Sequence, residues 1–397
     1  MNVYLDNNAT SMTAPQVVEA MQPFWTESFG NPSSIHSFGG KIGKHVAVAR
    51  QQVAALLGTQ ADEIVFTAGG SEGDNLAIKG TVEALAGRKR HIVTTRVEHP
   101  AVRVAFQYLE KQGYRLTEIP VDRDGGLDFE QLQDALTPDT AILSVMWANN
   151  ETGVVFPIEK IAQLARNRGV VFHTDAVQAA GKIPIDMRKI PVDLLTISGH
   201  KLHGPKGVGA LFVRKGTKLT PQIVGGHQEG GKRAGTENVP AIVGLGKAAE
   251  LGLNSITEKN EKVRILRDRL EKGLLESCKG AVVNGKNRLP NTANISFEFV
   301  EGESMLLLLD SLGIAASSGS ACTSGALEPS HVLRAMGIPF TLAHGSIRFS
   351  LSRYNTEQEI DYVIEKMPPV IERLRSISPF THSGDGQSWG APPSCAT

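Results

Sequence analysis

The stretch Ser198-Gly-His-Lys-Leu-His-Gly-Pro-Lys-Gly207 follows directly on an apolar run, Val192 to Ile197, that has the character of a buried strand. A strand that ends in such a turn carries Lys201 to where open α/β sheets hold their ligands, beyond the carboxyl ends of the strands. Small residues around Lys201 let a flat ligand approach the backbone, and Pro205 stiffens the exit from the turn. The stretch predicts an α/β fold with a ligand at Lys201, although a lysine after a strand is more often a solvated loop residue.

Strands and helices alternate over the part of the chain that contains this turn, from residue 63 to residue 213. Such alternation predicts an α/β fold with a mostly parallel sheet covered by helices on both faces. A chain of 397 residues is too long for one ordinary core, so we expect two domains. They are a large cofactor-binding α/β domain (13–258) and a small α+β domain (1–12 and 259–378) that carries the cysteine loop, followed by a mobile tail (379–397). The region 245–278 is predicted to be a long, polar-faced helical region that leaves the sheet.

The charge balance and the cysteine count limit the partners and the compartment. The 41 Lys and Arg residues match the 41 Asp and Glu residues, so no net field favours nucleic acid or an anionic membrane. The aliphatic runs fall far short of the ~18 residues of a membrane span, and the amino terminus does not resemble a signal peptide. Cys278, Cys322 and Cys395 contain no Cys-x-x-Cys pair, which argues against a disulfide framework or a structural zinc site. We expect a cytoplasmic protein whose partner is a small molecule or another protein.

The segment Gly69-Gly-Ser-Glu-Gly-Asp-Asn75 lies between a predicted strand and the helix that follows it. Free backbone N–H groups and the helix dipole make such a junction suitable for a phosphate group. The segment lacks the Gly-Lys-Ser/Thr of a P-loop, which disfavours a nucleoside triphosphate. The alternative interpretation is an ordinary capped helix with Ser71 as its N-cap, and the segment alone does not separate the two.

Two further polar residues follow predicted strands and are expected at the same edge of the sheet. Asp175 precedes Lys201 by 26 residues, enough for one helical crossover between neighbouring strands. An anion keeps a pyridine nitrogen protonated, so Asp175, Lys201 and an upstream phosphate loop together indicate pyridoxal phosphate held by an imine to Lys201. His99, in Arg96-Val-Glu-His-Pro100, can stack on a flat ring and move protons near neutral pH. The plainer alternatives are a helix N-cap for Asp175 and a structural role for His99.

Cys322 stands in Ser317-Ser-Gly-Ser-Ala-Cys-Thr-Ser-Gly325, a segment too polar and flexible for a core. Most free cysteines are buried and inert, whereas a thiol on a Gly/Ser loop is exposed and can travel to a site and leave it. Its ordinary pKa of about 8.5 leaves a usable thiolate fraction near neutrality. We expect Cys322 to be a mobile nucleophile. Cys278, at a helix end, and Cys395, in the tail, lack this setting.

Eight motifs occur in a fixed order along residues 1 to 378. They are Tyr4-Leu-Asp-Asn-Asn-Ala-Thr10, Gly30-Asn-Pro-Ser-Ser34, Glu98-His-Pro100, Asn149-Asn-Glu-Thr-Gly153, His173-Thr-Asp-Ala-Val-Gln178, Ser198-Gly-His-Lys201, Arg233-Ala-Gly-Thr-Glu-Asn238 and the Cys322 segment. The set resembles the cysteine desulfurases of the aminotransferase class V group, which implies the fold type I architecture of pyridoxal-phosphate-dependent aminotransferases. The Cys322 segment with Leu327-Glu-Pro-Ser330 is similar to the long-loop subgroup, and Met336-Gly-Ile-Pro-Phe340 is similar to its nitrogen-fixation (NifS-like) branch.

This resemblance implies a role for each residue of the site. Lys201 would carry the imine, Asp175 would face the pyridine nitrogen, and His99 would stack on the ring. Gly70, Ser71, Ser198 and His200 would hold the phosphate, helped by Thr236 from a second subunit. Gln178 would contact the ring hydroxyl, and Asn150 would also be at the cofactor. Asn150 and Arg348 would fix the substrate, since a guanidinium binds a carboxylate through two parallel hydrogen bonds; the alternative for Arg348 is a sheet-edge ion pair. Ser71 and Gly73 stand where the family often has Thr and Ser, which leaves the fine phosphate geometry open.

The same resemblance implies an activity and partners. The chain would take sulfur from L-cysteine, release L-alanine and keep the sulfur as a persulfide on Cys322, with His99 as proton donor and acceptor. A homodimer is implied, together with an iron–sulfur scaffold or other acceptor protein, so that Cys322 would meet an iron–sulfur metal only in passing, through its persulfide. Three alternatives stay open. They are a selenocysteine lyase, a plain aminotransferase that would not need Cys322, and a non-catalytic iron–sulfur scaffold, which would need clustered cysteines.

Overall fold

The computed structural model describes residues 1–254, 256, 258–318 and 329–378. The predictions for Cys322, Cys395 and the tail 379–397 therefore lie outside the described residues. The strands are β1 (Val3–Tyr4), β2 (Ile64–Thr67), β3 (His91–Thr95), β4 (Arg115–Ile119), β5 (Thr140–Ser144), β6 (Val171–Asp175), β7 (Leu194–Ser198), β8 (Gly209–Val213), β9 (Ala281–Val283), β10 (Thr292–Phe297), β11 (Ile314–Ala315) and β12 (Ser346–Ser350).

The helices lie between these strands and flank them. They are α1 (Pro15–Met21), α2 (Pro23–Thr26), α3 (Ser37–Gly40), α4 (Ile42–Leu57), α5 (Gly70–Ala84), α6 (Pro100–Lys111), α7 (Phe129–Ala135), α8 (Ile158–Asn167), α9 (Val239–Leu253), α10 (Glu258–Ser277), α11 (Gly302–Ser311), α12 (His331–Ala335), α13 (Phe340–Ala343) and α14 (Glu357–Ile377). Local signals set several ends. Gly58 stops α4 in the left-handed conformation at φ 63°, and Thr356 with Glu359 forms a capping box that starts α14. No helix among the described residues is long and apolar enough to cross a membrane.

The large sheet has the strand order β2-β8-β7-β6-β5-β3-β4. The strands from β7 to β4 are parallel, whereas β8 is antiparallel to both of its neighbours. Every residue of β3, β5, β7 and β8 is buried, as expected for strands covered on both faces. The predicted α/β fold with a mostly parallel sheet is confirmed.

The structure refines one local prediction, contradicts a second and excludes one alternative interpretation. The region 245–278 is two helices, because α9 ends at Leu253 and packs on α4, and α10 begins only at Glu258. The connection from Ala176 to Asp193, all of it described, forms turns and irregular chain instead of a helical crossover. Ser71 is not an N-cap, because α5 already includes Gly70 and its N-cap is Gly69.

Two separate sets of side chains form the main cores. One set, which includes Val53, Phe172 and Leu245, packs the helices against one face of the large sheet. A second set, which includes Leu5 and Phe297, joins the amino terminus, α10, α11 and α14 to the antiparallel sheet β12-β10-β9 and the parallel pair β1-β11. We propose that these sets are the cores of a large and a small domain, with residues 1–12 belonging to the small one.

Candidate active site

The carboxyl ends of two neighbouring parallel strands bring Asp175 and Lys201 to one edge of the large sheet. Asp175 is the last residue of β6, and Lys201 closes the 3₁₀ turn Gly199–Lys201 that follows β7. His99 comes after β3, at the N-cap of α6, and interacts electrostatically with both of them. The three residues that the sequence singled out separately thus share one site.

The Lys201 amine is held by backbone carbonyls. Its Nζ donates to the carbonyl oxygens of Asn8 at 2.5 Å and Ala9 at 2.6 Å. Burial and then the positive charge of Arg348 lower the Lys201 pKa to about 8, although Asp175 acts in the opposite direction. A lysine with so low a pKa has a substantial neutral fraction near neutrality, and a neutral amine can act as a nucleophile or as a proton acceptor.

Asp175 is a buried carboxyl group, 6 % exposed, whose Oδ1 accepts from the Val177 N–H at 2.9 Å. Burial raises its pKa, while His99, the Val177 N–H and Lys201 favour the charged form. A carboxylate in such surroundings gains most from a cationic partner, because an unpaired buried charge is costly. A protonated pyridine nitrogen is a partner of that kind.

His99 has a defined tautomer in its neutral form. Its Nδ1 accepts from the Ala101 N–H at 3.2 Å, so the proton of the neutral ring is on Nε2. Burial lowers the pKa of His99, opposed by Asp175 and reinforced by Lys201. The ring can therefore donate a proton from Nε2 while its N-cap hydrogen bond fixes its orientation.

The four residues predicted to hold a phosphate line one open cavity at the amino end of α5. They are Gly70, Ser71, Ser198 and His200. The first backbone N–H groups of α5 have no carbonyl partner within the helix and suit an anion. A Cβ at Gly70 would lie only 3.0 Å from Val177 Cγ2 and 3.6 Å from Ser198 Cβ, so a larger residue would crowd the cavity wall. Thr10 and Lys206, which the sequence analysis did not single out, line the same cavity.

The one carboxylate in this cavity wall, that of Glu72, is already bound. Its Oε1 accepts from Arg233 Nε at 2.9 Å, and its Oε2 accepts from the Ala68 N–H at 3.0 Å. Arg233 thus offsets the charge that would otherwise repel a phosphate. On the other side, His200 Nδ1 lies 3.2 Å from Thr10 Oγ1, and burial followed by nearby cations lowers the His200 pKa to about 4.

Thr236 lies next to this cavity within its own chain. It lines a neighbouring pocket together with Ala68 and Gly207, and both of those residues also line the phosphate cavity. A contribution of Thr236 across a dimer stays a prediction.

Arg348, on β12, is only 4 % exposed. Its Nη2 donates to Asp6 Oδ1 at 2.7 Å and its Nη1 to the Asn150 carbonyl oxygen at 3.0 Å. The ion pair given as the plainer alternative is therefore present. Within the described part of the chain, however, the Arg348 Nε is buried without a hydrogen-bond partner. A buried N–H without a partner is costly and is suited to receive a carboxylate oxygen.

Asn8 links all of these elements, and the sequence analysis had treated it only as part of a motif. It is 1 % exposed, and its carbonyl oxygen accepts from both Lys201 and Gln178 Nε2, the latter at 2.9 Å. Its other hydrogen-bond partners are Ser350, Thr292, Asn150, Lys182 and Asn291. The residue thus joins the turn after β7 to both strands of the small antiparallel sheet that face the site.

The sequence analysis did not single out two further titratable residues, the half-buried Lys182 and the buried Glu98. Lys182 Nζ donates to Gln178 Oε1 at 2.8 Å, and burial, with Lys201 and Arg348, lowers its pKa to about 7. The sequence signal that could have found Lys182 is its position four residues after Gln178, a spacing at which the two side chains can meet. Glu98 Oε1 accepts from the Met146 N–H at 3.0 Å, and burial raises the pKa of Glu98 to about 8. Glu98 is therefore mostly neutral at pH 7.

These residues fit pyridoxal 5′-phosphate. A lysine with a lowered pKa, a buried carboxyl group at the neighbouring strand end and a helix amino terminus match the aldehyde, the pyridine nitrogen and the phosphate of that molecule. The described residues contain no group of three His, Cys, Asp or Glu side chains that could hold a metal ion. The predicted passing metal contact of Cys322 lies outside them.

Comparison with known proteins agrees with this site. The family model for aminotransferase class V matches residues 3–363. The chain belongs to the aminotransferase class V family. Enzymes of the aminotransferase class V family use pyridoxal 5′-phosphate, and this chain is a pyridoxal-phosphate-dependent enzyme.

Relatives within the aminotransferase class V family cover nearly the whole chain. The cysteine desulfurase of Trichormus azollae is 58 % identical over 386 residues, which are 97 % of this chain and 96 % of the relative. Cysteine desulfurase NifS of Azotobacter vinelandii is 56 % identical over 388 residues, with 97 % and 96 % covered. A solved structure of a NifS-like protein has a TM-score of 0.89 and 39 % identity, and the match covers 94 % of this chain and all of that one.

Proposed function

We propose that this chain is a cysteine desulfurase, an enzyme that moves sulfur from L-cysteine to its own Cys322 and releases L-alanine. The observation that carries the proposal is the surroundings of the Lys201 amine. This amine has a pKa of about 8 and lies within electrostatic reach of a buried carboxyl group, Asp175, and a buried guanidinium, Arg348. Relatives more than half identical over nearly the full length, all of them cysteine desulfurases, support the reaction.

The chain's own residues would hold the cofactor at three points. The Lys201 amine would bind its aldehyde carbon, Asp175 would keep its ring nitrogen protonated, and His99 would lie on its ring. The phosphate would be bound by Gly70, Ser71, Ser198 and His200, with Thr236 of a second copy beside them. The side chains of Asn150 and Gln178 would complete the ring contacts, and Arg348 would bind the substrate carboxylate through its free Nε–H.

Pyridoxal phosphate, when bound, supplies an electron sink that lets the substrate Cα lose a proton. The neutral amine of Lys201 accepts that proton, as its lowered pKa allows. The Cys322 thiolate attacks the substrate sulfur, so an S–S bond forms as the substrate C–S bond breaks. His99, with its proton on Nε2, supplies a proton to the reacting groups. L-Cysteine and the thiol become L-alanine and the persulfide, and no external oxidant or reductant is required.

The partners extend this proposal. A homodimer would bring Thr236 of one copy to the phosphate of the other. The persulfide would pass to an acceptor protein that builds iron–sulfur clusters, and the similarity to NifS supports a role in nitrogen fixation. The small number of cysteines, with no Cys-x-x-Cys pair, favours the cytoplasm as the compartment.

The decisive experiment compares Cys322→Ala with Cys278→Ala. Cys278 is 2 % exposed and burial raises its pKa, so it is a poor nucleophile and its variant should keep near wild-type turnover. Cys322→Ala should stay yellow and still change its absorption spectrum on adding L-cysteine, but alanine release under a reductant should fall at least about 100-fold. Wild-type alanine output from Cys322→Ala would exclude the proposal. Release of a keto acid would indicate an aminotransferase, and a strong preference for L-selenocysteine would indicate a selenocysteine lyase.

A further inference from the structure

A second cavity lies beside Lys201 and is separate from the phosphate cavity, with which it shares no lining residue. Its wall contains Lys182, Lys259 and Arg353 as well as Lys201. The part of the chain that the structure describes contributes no Asp or Glu to this wall. The cavity is therefore lined by cations without a carboxylate.

This cavity is also distinct from the proposed ring site, because neither His99 nor Asp175 lines it. Its volume is about 60 Å³. About 10–15 Å³ is enough to admit one water molecule, so a small ion fits with water beside it.

Lys182 and Arg353 each have an N–H group without a hydrogen-bond partner among the described residues, and Lys259 has no counter-charge there. Lys182 Nζ donates to Gln178 Oε1 at 2.8 Å and to Asn8 Oδ1 at 3.2 Å, which are neutral acceptors and leave one of its three N–H groups free. Arg353 Nε is buried and has no hydrogen-bond partner among the described residues. Lys259 is exposed at the start of α10 and forms no ion pair with any described acidic side chain.

The neutral amides of the wall cannot supply the missing negative charge. Asn260 Nδ2 is used by the carbonyl oxygens of Gly181, at 3.2 Å, and Lys182, at 2.8 Å. Asn291 Nδ2 is used by Asn8 Oδ1 at 3.0 Å. These hydrogen bonds hold the wall in place, and an uncharged amide does not offset the charge of the cations.

A partly buried cation without a counter-charge is costly, and lysine and arginine differ in how they can avoid the cost. Lys182 can lose its proton, consistent with its pKa of about 7, which burial and the charges of Lys201 and Arg348 produce. Arg353 cannot, because a guanidinium stays charged in proteins. The buried Nε–H of Arg353 therefore needs an anion or another acceptor that the described residues do not supply.

We propose that this cavity binds a small inorganic anion such as chloride, held by Lys182, Lys259 and Arg353. The anion offsets the positive charge next to Lys201 from a site that the cofactor does not occupy. Chloride binding and desulfurase activity are separate properties of the chain, so either one can be absent while the other is present.

The test uses the cofactor-loaded protein, whose phosphate cavity is already filled, in a gluconate buffer. Chloride-35 line broadening measures chloride binding directly, and bromide-soaked crystals locate the ion by anomalous scattering. We expect saturable broadening and a bromide peak in contact with Arg353. Arg353→Gln and, independently, Lys259→Gln should weaken chloride binding, the first by about tenfold or more, as loss of a charged hydrogen bond predicts.

Lys262→Gln is the matched control, because Lys262 is another exposed lysine of α10 that does not line the cavity. It should bind chloride as the wild type does. Equal broadening in wild type, Arg353→Gln and Lys259→Gln would overturn the proposal, as would bromide peaks that avoid the cavity. Lys259→Gln keeps the test valid if Arg353→Gln does not fold, since Lys259 is on the surface.

Discussion

Ser317 and Arg348 exchange backbone hydrogen bonds, with the Arg348 N–H donating to Ser317 at 2.6 Å and the Ser317 N–H donating to Arg348 at 3.2 Å. The segment that leads to Cys322 therefore begins at a residue paired with Arg348, and the Arg348 guanidinium is proposed to bind the substrate. After that segment, Ser330 Oγ donates to Glu151, the neighbour of Asn150. Ser317 is therefore bonded to the backbone of Arg348, and Ser330 is bonded to the side chain of Glu151, which follows a residue that the Arg348 guanidinium contacts. Both attachments lie next to the proposed substrate site.

Arg348→Lys tests the substrate contact. A lysine keeps the charge but cannot form two parallel hydrogen bonds, so KM for L-cysteine should rise and kcat/KM should fall about 10- to 100-fold. Pyridoxal phosphate should still bind. Steady-state kinetics with the exposed Arg264→Lys as control measures this. An unchanged KM would show that Arg348 only forms the ion pair with Asp6.

Lys201→Ala tests the covalent attachment of the cofactor. Borohydride reduction of the wild type should label one peptide, which contains Lys201, and the variant should lose the label. Two other lysines are close enough to compete. Lys182 has a pKa of about 7, and Lys206 lines the phosphate cavity. Peptide mapping that found the label on either of these would refute the assignment.

The pKa of Lys201 predicts how fast the cofactor-free protein captures pyridoxal phosphate. Only the neutral amine attacks an aldehyde, so the rate should rise with pH and reach half its maximum at about pH 8. Arg348→Gln should move the midpoint to higher pH, because the charge of Arg348 lowers the Lys201 pKa. Asp175→Asn should move it to lower pH, because Asp175 raises that pKa.

Stopped-flow absorbance across a pH series measures these midpoints, with Arg264→Gln, an exposed site, expected to match the wild type. Asp175→Asn should also lose most turnover while remaining folded, since an amide cannot keep the ring nitrogen protonated. Midpoints that shift in the same direction for both variants would contradict the electrostatic account.

Asn8→Ala tests the side-chain hydrogen bonds of Asn8 to Thr292, Lys182 and Asn291, because the Asn8 carbonyl oxygen can still accept from Lys201 in the variant. The substitution leaves several buried partners unsatisfied, so the free energy of unfolding should fall by about 2–4 kcal/mol. The exposed Asn167→Ala, on α8, should change it by less than about 0.5 kcal/mol. Urea unfolding monitored by circular dichroism gives both values. A loss for Asn8→Ala no larger than that of Asn167→Ala would mean that these side-chain hydrogen bonds contribute little to stability.

The spacing of apolar residues and the positions of glycines in the sequence determined most helices and strands and the fold class. Buried strands such as β8 are continuous apolar runs, and glycines such as Gly58 mark helix ends, so both signals are local and can be found without the fold. The residues that follow strands, Asp175 and Lys201, were found by the same logic, because parallel strands end at a common edge. The break between α9 and α10 was missed although Asn254, the C-cap of α9, is a local stop signal. The turns that replace a helix before β7 were missed because residue spacing alone does not tell a helix from an irregular connection.

Tertiary structure alone decided how charge is distributed around Lys201. Asn8, Lys182 and Arg348 are far apart in the chain, and no spacing in the sequence relates them. The fold brings the small antiparallel sheet against the turn after β7, and burial then lowers the pKa of Lys182 and Lys201 and raises that of Glu98. The sequence specifies which side chains are present. The pKa of each one depends on how far folding removes it from solvent and on the charges that folding brings near it.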